Sequence, residues 1–118
     1  SLSYWYLGAA LIETGDVDNG LKAVNKAIDL GYAFSESDTL RLINLYVKVG
    51  DFDKIAGLYE RLIAIKPKNP QYRASLAAAY TKIGKIDEAV EQARAAAQID
   101  KTFEAEARVF VKSLGREF

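Results

Sequence analysis

Apolar side chains recur three and four residues apart along this chain, and polar corners interrupt them at regular intervals. Leu7, Gly8 and Leu11, then Leu42, Ile43 and Tyr46, then Leu76, Ala77 and Tyr80 each gather on one face of a helical turn. Burial against a neighbouring helix requires that spacing. After each corner a second set follows: Val24, Ala27, Ile28 and Leu30; Tyr59, Leu62, Ile63 and Ile65; Ala93, Ala96, Ala97 and Ile99. The pattern predicts six amphipathic helices arranged as three hairpins.

The corners themselves repeat. Gly15, Gly50 and Gly84 stand 35 and then 34 residues apart, within Gly15-Asp16-Val17-Asp18, Gly50-Asp51-Phe52-Asp53 and Gly84-Lys85-Ile86-Asp87. A glycine after a helical run supplies a left-handed C-cap, and an aspartate shortly afterwards suits the N-cap or first turn of the next helix. Each corner therefore predicts a helix, a tight turn and a second helix.

With this period and these positions the chain resembles the tetratricopeptide repeat, whose consensus runs W-x-x-L-G-x-x-Y, then Gly-Asp, Ala, an aromatic, Ala and Pro over about 34 residues. Leu7-Gly8, Gly15-Asp16, Ala27, Leu42, Tyr46, Gly50-Asp51, Tyr59, Pro67, Leu76-Ala77, Tyr80, Gly84, Ala89 and Ala96 fall where that consensus places them. The departures are Gly20 and Ile55 in place of Ala, Tyr32 in place of the inter-repeat Pro, and one extra residue between Gly31 and Ser35. The resemblance implies an all-α fold: a right-handed α-solenoid of three helix-turn-helix hairpins plus a seventh capping helix. A single domain over 1–118 is expected, with repeats at about 1–35, 36–69 and 70–103 and the capping helix at about 103–114. The cap shows Ala107, Phe110, Val111 and Leu114 against Glu104, Glu106, Arg108 and Lys112, an apolar face for the stack and a polar one for water.

Composition narrows the function. The 118 residues are half apolar, enough for one domain with one core. Sixteen basic side chains balance sixteen acidic ones, and the segments 1–35, 36–69, 70–103 and 104–118 carry −2, +1, +1 and 0. No basic stripe is present to neutralise phosphates, which argues against nucleic acid and against an RNA-reading helical repeat, although such repeats have a similar hairpin. The chain contains no His, Cys or Met, which removes imidazole bases, thiol nucleophiles, His/Cys zinc sites and disulfides. The carboxylate pairs Asp16/Asp18 and Asp51/Asp53 sit at corners where capping accounts for them. Gly84-Lys85 has no upstream Gly and no following Ser or Thr, so it is not a phosphate loop. No catalysis and no cofactor or metal are expected, and no apolar run is long enough to insert into a membrane.

What remains is contact. In stacks of this family the first helices line a concave face, and the resemblance implies that Trp5, Ala9, Ile12, Leu40, Asn44, Val47, Lys48, Ala74, Ala78 and Lys82 point into it. On that reading the chain is a noncatalytic interaction module for a peptide or helix. Trp5, Leu40 and Val47 would bury a partner's apolar stripe, Asn44 would bond its backbone, and Lys48 with Lys82 would hold a carboxylate. The same residues admit plainer roles: Trp5, Leu2 and Ile12 as contacts to an upstream repeat, the lysines as solvated helix ends, and Asn44 as an exposed amide. Positions where some relatives grip an acidic chaperone tail carry Trp5, Ala9, Arg41, Gln71 and Ser75 here, so that clamp is not expected. Tyr32 and Phe34 either edge the groove or plug the gap left by the missing Pro.

The apolar opening, Leu2 and Tyr4 to Leu7, offers a second function: assembly with another copy, a homodimer through the N-terminal edge, or cover by upstream sequence of a larger parent. The stretch from Tyr72 to Phe118 is also similar to the helical tails of bacterial membrane glycan ligases and polymerases of the O-antigen type. Partner identity and localisation are not legible.

Overall fold

The computed structural model describes residues 2–118. The architecture is all-α: α1 (Leu2–Glu13), α2 (Val17–Asp29), α3 (Glu36–Val49), α4 (Phe52–Ile65), α5 (Pro70–Lys82), α6 (Ile86–Ile99) and α7 (Glu104–Ser113), with a 3₁₀ turn at Lys101–Phe103 before α7. Gly15, Gly50 and Gly84 adopt φ of 100°, 74° and 81°, so each corner turns through the left-handed conformation expected of it. Asp51 caps α4 by accepting the Lys54 N–H at 3.3 Å, and Asp18, Asp53 and Asp87 lie in first turns. Asp16 differs: its carboxylate accepts the Asn19 side-chain amide at 3.1 Å and makes no cap bond.

The chain falls into two compact units that divide after Gly50. In the first, α1 and α2 form a tight hairpin whose backbones meet at Gly8 and Gly20. A Cβ on Gly8 would stand 2.5 Å from Val24 Cγ2 and 2.7 Å from the Gly20 carbonyl oxygen. Gly20, which departs from the family's alanine, keeps the same crossing close from the other side, where a Cβ would lie 2.9 Å from the Gly8 carbonyl oxygen. Ser35 opens α3 by accepting the Asp38 N–H at 3.1 Å, and the buried Thr39 hydroxyl donates to the Ser35 carbonyl at 2.7 Å. Not every apolar position of the pattern is buried. Leu7, Ile28 and Leu30 are about half exposed; Ile28 and Leu30 lie off the face of α2 formed by Gly20, Ala23, Val24 and Ala27.

In the second unit α5 packs against α4 and α6, and α7 packs against α6. Asn69 caps α5 by accepting the Tyr72 N–H at 3.1 Å, with Pro70 at the first helical position, where a missing N–H costs nothing. Tyr80 donates to Glu60 at 3.2 Å and so ties α5 to α4. The core continues through Ala77, Val90, Ala93, Ala97, Ala107 and Val111. Ile65, placed by the pattern on the buried face of α4, is half exposed.

Candidate functional site

The second unit contains a cleft built by small side chains. Asp100 starts its outer wall: the carboxylate accepts both the backbone N–H of Thr102, at 3.0 Å, and its hydroxyl, at 2.7 Å. These bonds favour the ionised form and hold the Asp100 carboxyl below its ordinary range. They also shape the 3₁₀ turn that presents Phe103. From Glu104 onward α7 runs with Ala107 and Val111 buried against α6, which leaves Glu106 and Phe110 on the flank toward α5. Ala74, Ala77 and Ala78 of α5 form the opposite wall, and Ala93 and Ala96 of α6 form the floor. Because six of the nine lining residues are alanines, the helices enclose room that no side chain of the chain fills. The cavity measures about 180 Å³ and opens to solvent.

Polar residues around the cleft are largely engaged elsewhere. Arg108 turns away to pair with Glu104 at 2.9 Å and to lie 4.6 Å from the centre of the Phe118 ring. Lys82 sits over the Phe52 ring at 5.9 Å. Arg73 donates to the Pro67 carbonyl and to Gln92. Glu106 is exposed and has no ion pair among the described residues.

The residues expected on a groove separate into three groups. Trp5, Ala9 and Ile12 are buried, with Trp5 wholly inaccessible, and this corrects the expectation that they offer surface to a partner. Their burial has a local cause: Phe34 stands edge-on to the indole, Arg41 covers it at 5.8 Å, and Ile12 lies over Gly20. Phe34 is itself buried, so it plugs the inter-repeat gap instead of edging a groove. Leu40, Asn44, Val47 and Lys48 share the solvent side of α3, with Leu40 half-buried and the other three exposed. Ala74 and Ala78 line the cleft, and Lys82, one turn on from Ala78, is exposed.

Residues 40–109 match the tetratricopeptide repeat family. The chain belongs to that family. Among curated proteins it is similar to the TPR repeat-containing thioredoxin TTL4 of Arabidopsis thaliana, 30% identical over 68% of this chain. It is also similar to the inactive TPR repeat-containing thioredoxin TTL3 of the same plant, 36% identical over 53% of this chain. The chain spans only 12% and 9% of those two proteins. Among solved structures, MamA AMB-1 superposes with a TM-score of 0.69 at 22% identity, covering 96% of this chain and 63% of that one. That likeness is one of fold.

Tetratricopeptide domains generally mediate protein interactions. The cleft walls that sequence reasoning missed are Phe103, Glu106 and Phe110. They recur three and four residues apart, a signal present in the sequence, but in α7 the same spacing also fits a helix that covers the stack. It is also one side of a cleft.

Proposed function

We propose that this tetratricopeptide domain is a noncatalytic docking module and that the cleft between α5 and α7 receives a segment of a protein partner. The observation that carries the reading is the unfilled apolar cleft walled by Ala74 and Ala78 on one side and Phe103 and Phe110 on the other. A concave apolar site with few polar groups is the ordinary form of a binding pocket. The exposed side of α3, with Asn44 and Val47 beside half-buried Leu40, supplies a further contact face in the first unit. A peptide-display selection against the full chain tests the reading, with each hit titrated against wild type and against Ala78→Phe. Ala78 is exposed on α5, so a phenyl ring there occupies the cleft without disturbing the core. Hits that lose at least tenfold in affinity against Ala78→Phe support docking in the cleft. An absence of hits, or hits indifferent to the substitution, rejects it.

A second reading, assembly through α1, has its own observation. Leu2, Tyr6 and Leu7 are 47%, 53% and 50% exposed, and residues 2–12 carry no charged side chain. Sedimentation velocity across a hundredfold range of concentration tests it. A monomer throughout rejects self-association, whereas a dimer abolished by Leu7→Glu supports it.

A further inference from the structure

We infer that the cleft between α5 and α7 selects a partner segment in which one leucine- or phenyl-sized side chain lies beside a lysine or arginine. The inference rests on the docking reading and deepens it by naming the chemistry of the occupant.

Size sets the first half. A cavity of about 150 Å³ lined by aliphatic and aromatic side chains holds a benzene molecule. This cleft, at about 180 Å³, has room for one ring or one branched aliphatic group. Its walls offer methyl groups and two phenyl rings, so an amide or carboxylate seated there would lose water without gaining a partner.

Charge sets the second half. Eight of the nine lining residues are apolar, and the ninth is Glu106. That carboxylate has no ion pair among the described residues. Arg108 is paired with Glu104 instead, and Lys82 lies over the Phe52 ring. An approaching cation would meet a negative charge that has no ion-pair partner among the described residues. An acidic segment would meet repulsion. That occupant differs from the carboxylate expected at Lys48 and Lys82, neither of which lines this cleft.

The test uses dodecamer peptides selected against the full chain and retitrated against Glu106→Gln and Glu106→Lys at low and high salt. Glu106 is exposed and unpaired, so both variants keep the fold, which circular dichroism checks. The expected hits carry an apolar residue with Lys or Arg within four positions. They weaken about 2- to 5-fold against Glu106→Gln, as an exposed ion pair should, and further against Glu106→Lys, and the difference shrinks in high salt. Hits that depend on an open cleft, failing against Ala78→Phe, but lack basic residues and ignore Glu106→Gln overturn this inference and leave docking intact. Hits that ignore both Ala78→Phe and Glu106→Gln, or no hits at all, overturn both.

Discussion

Trp5 and Phe34 meet edge to face, their ring centroids 5.0 Å apart and their planes at 79°. Phe34 meets Tyr32 in the same manner, at 4.7 Å and 80°. The segment that carries an extra residue and lacks the family's proline thus closes the first unit with a chain of three rings. Edge-to-face pairs add about 0.5 to 1.5 kcal/mol to the burial of the rings themselves. Phe34→Ala is expected to destabilise the chain by about 3 kcal/mol, the usual cost of removing a buried phenyl ring. Urea unfolding measures the loss, and Trp5, the only tryptophan, reports it by a red shift of emission. In the wild type its emission is expected to be blue-shifted at every protein concentration, because the indole is buried within one chain.

Two glycines within helices predict opposite outcomes for one substitution. At Gly8 a methyl group would strike Val24 Cγ2 and the Gly20 carbonyl oxygen, and overpacking of that kind costs about 1 to 3 kcal/mol. At Gly57, exposed within α4, a Cβ meets nothing within 4 Å. Alanine there gains about 0.5 to 1 kcal/mol from helix propensity and a less flexible unfolded chain. Gly8→Ala should therefore lower the thermal midpoint and Gly57→Ala should raise it. If both move the same way, the close crossing of α1 and α2 is wrong.

The Tyr32 hydroxyl donates to Asp38 at 2.7 Å. That bond, followed by burial and the charge of Asp38, raises the phenol from its ordinary 10.0 to about 12. The folded state therefore holds this proton more tightly than the unfolded state does. The resulting stability is fully present below about pH 10 and is lost as pH rises through about 12. Of the seven tyrosines, Tyr80 is also raised, by burial first and then by Glu60. Ultraviolet titration should show a late-ionising fraction, and Tyr32→Phe should remove part of it. Asp38→Asn should bring Tyr32 back toward its ordinary value.

Helix positions and corners were legible because they depend on local rules. Glycine spacing marked the three turns, and the apolar period marked the helices they join. Exposure was harder to read, because it depends on which helix covers which face. Trp5 occupies a position that faces the groove in relatives, yet here Phe34 and Arg41 of the same unit cover it, and no periodicity in α1 announces a plug from residue 34. Their position in the repeat predicts Ala74 and Ala78 on the binding face. The depth of the cleft beside them comes from Ala93, Ala96 and Ala107, residues that sequence alone reads as close helix packing. Small side chains leave either a close contact or a void, and only the path of the backbone decides which.

Two valines on α7 separate the role of that helix from its mere presence. Val111 is fully buried in the cluster with Ala77, Val90, Ala93, Ala97 and Ala107, whereas Val109, on another side of α7, is 71% exposed. Val111→Ala removes two buried carbon groups and leaves a cavity, a loss of about 2 kcal/mol. Because α7 is joined to the second unit chiefly along one face, that loss should concentrate in local opening of α7. Amide exchange from Ala107 to Lys112 should accelerate on the order of tenfold or more, while exchange in α1 and α2 stays unchanged. Val109→Ala should leave both stability and exchange within error. Peptides that dock in the cleft should bind Val111→Ala more weakly, since one wall is then only partly in place, and should themselves slow the exchange of α7. Equal affinity for the two valine variants would mean that the cleft wall formed by Phe103, Glu106 and Phe110 takes no part in binding.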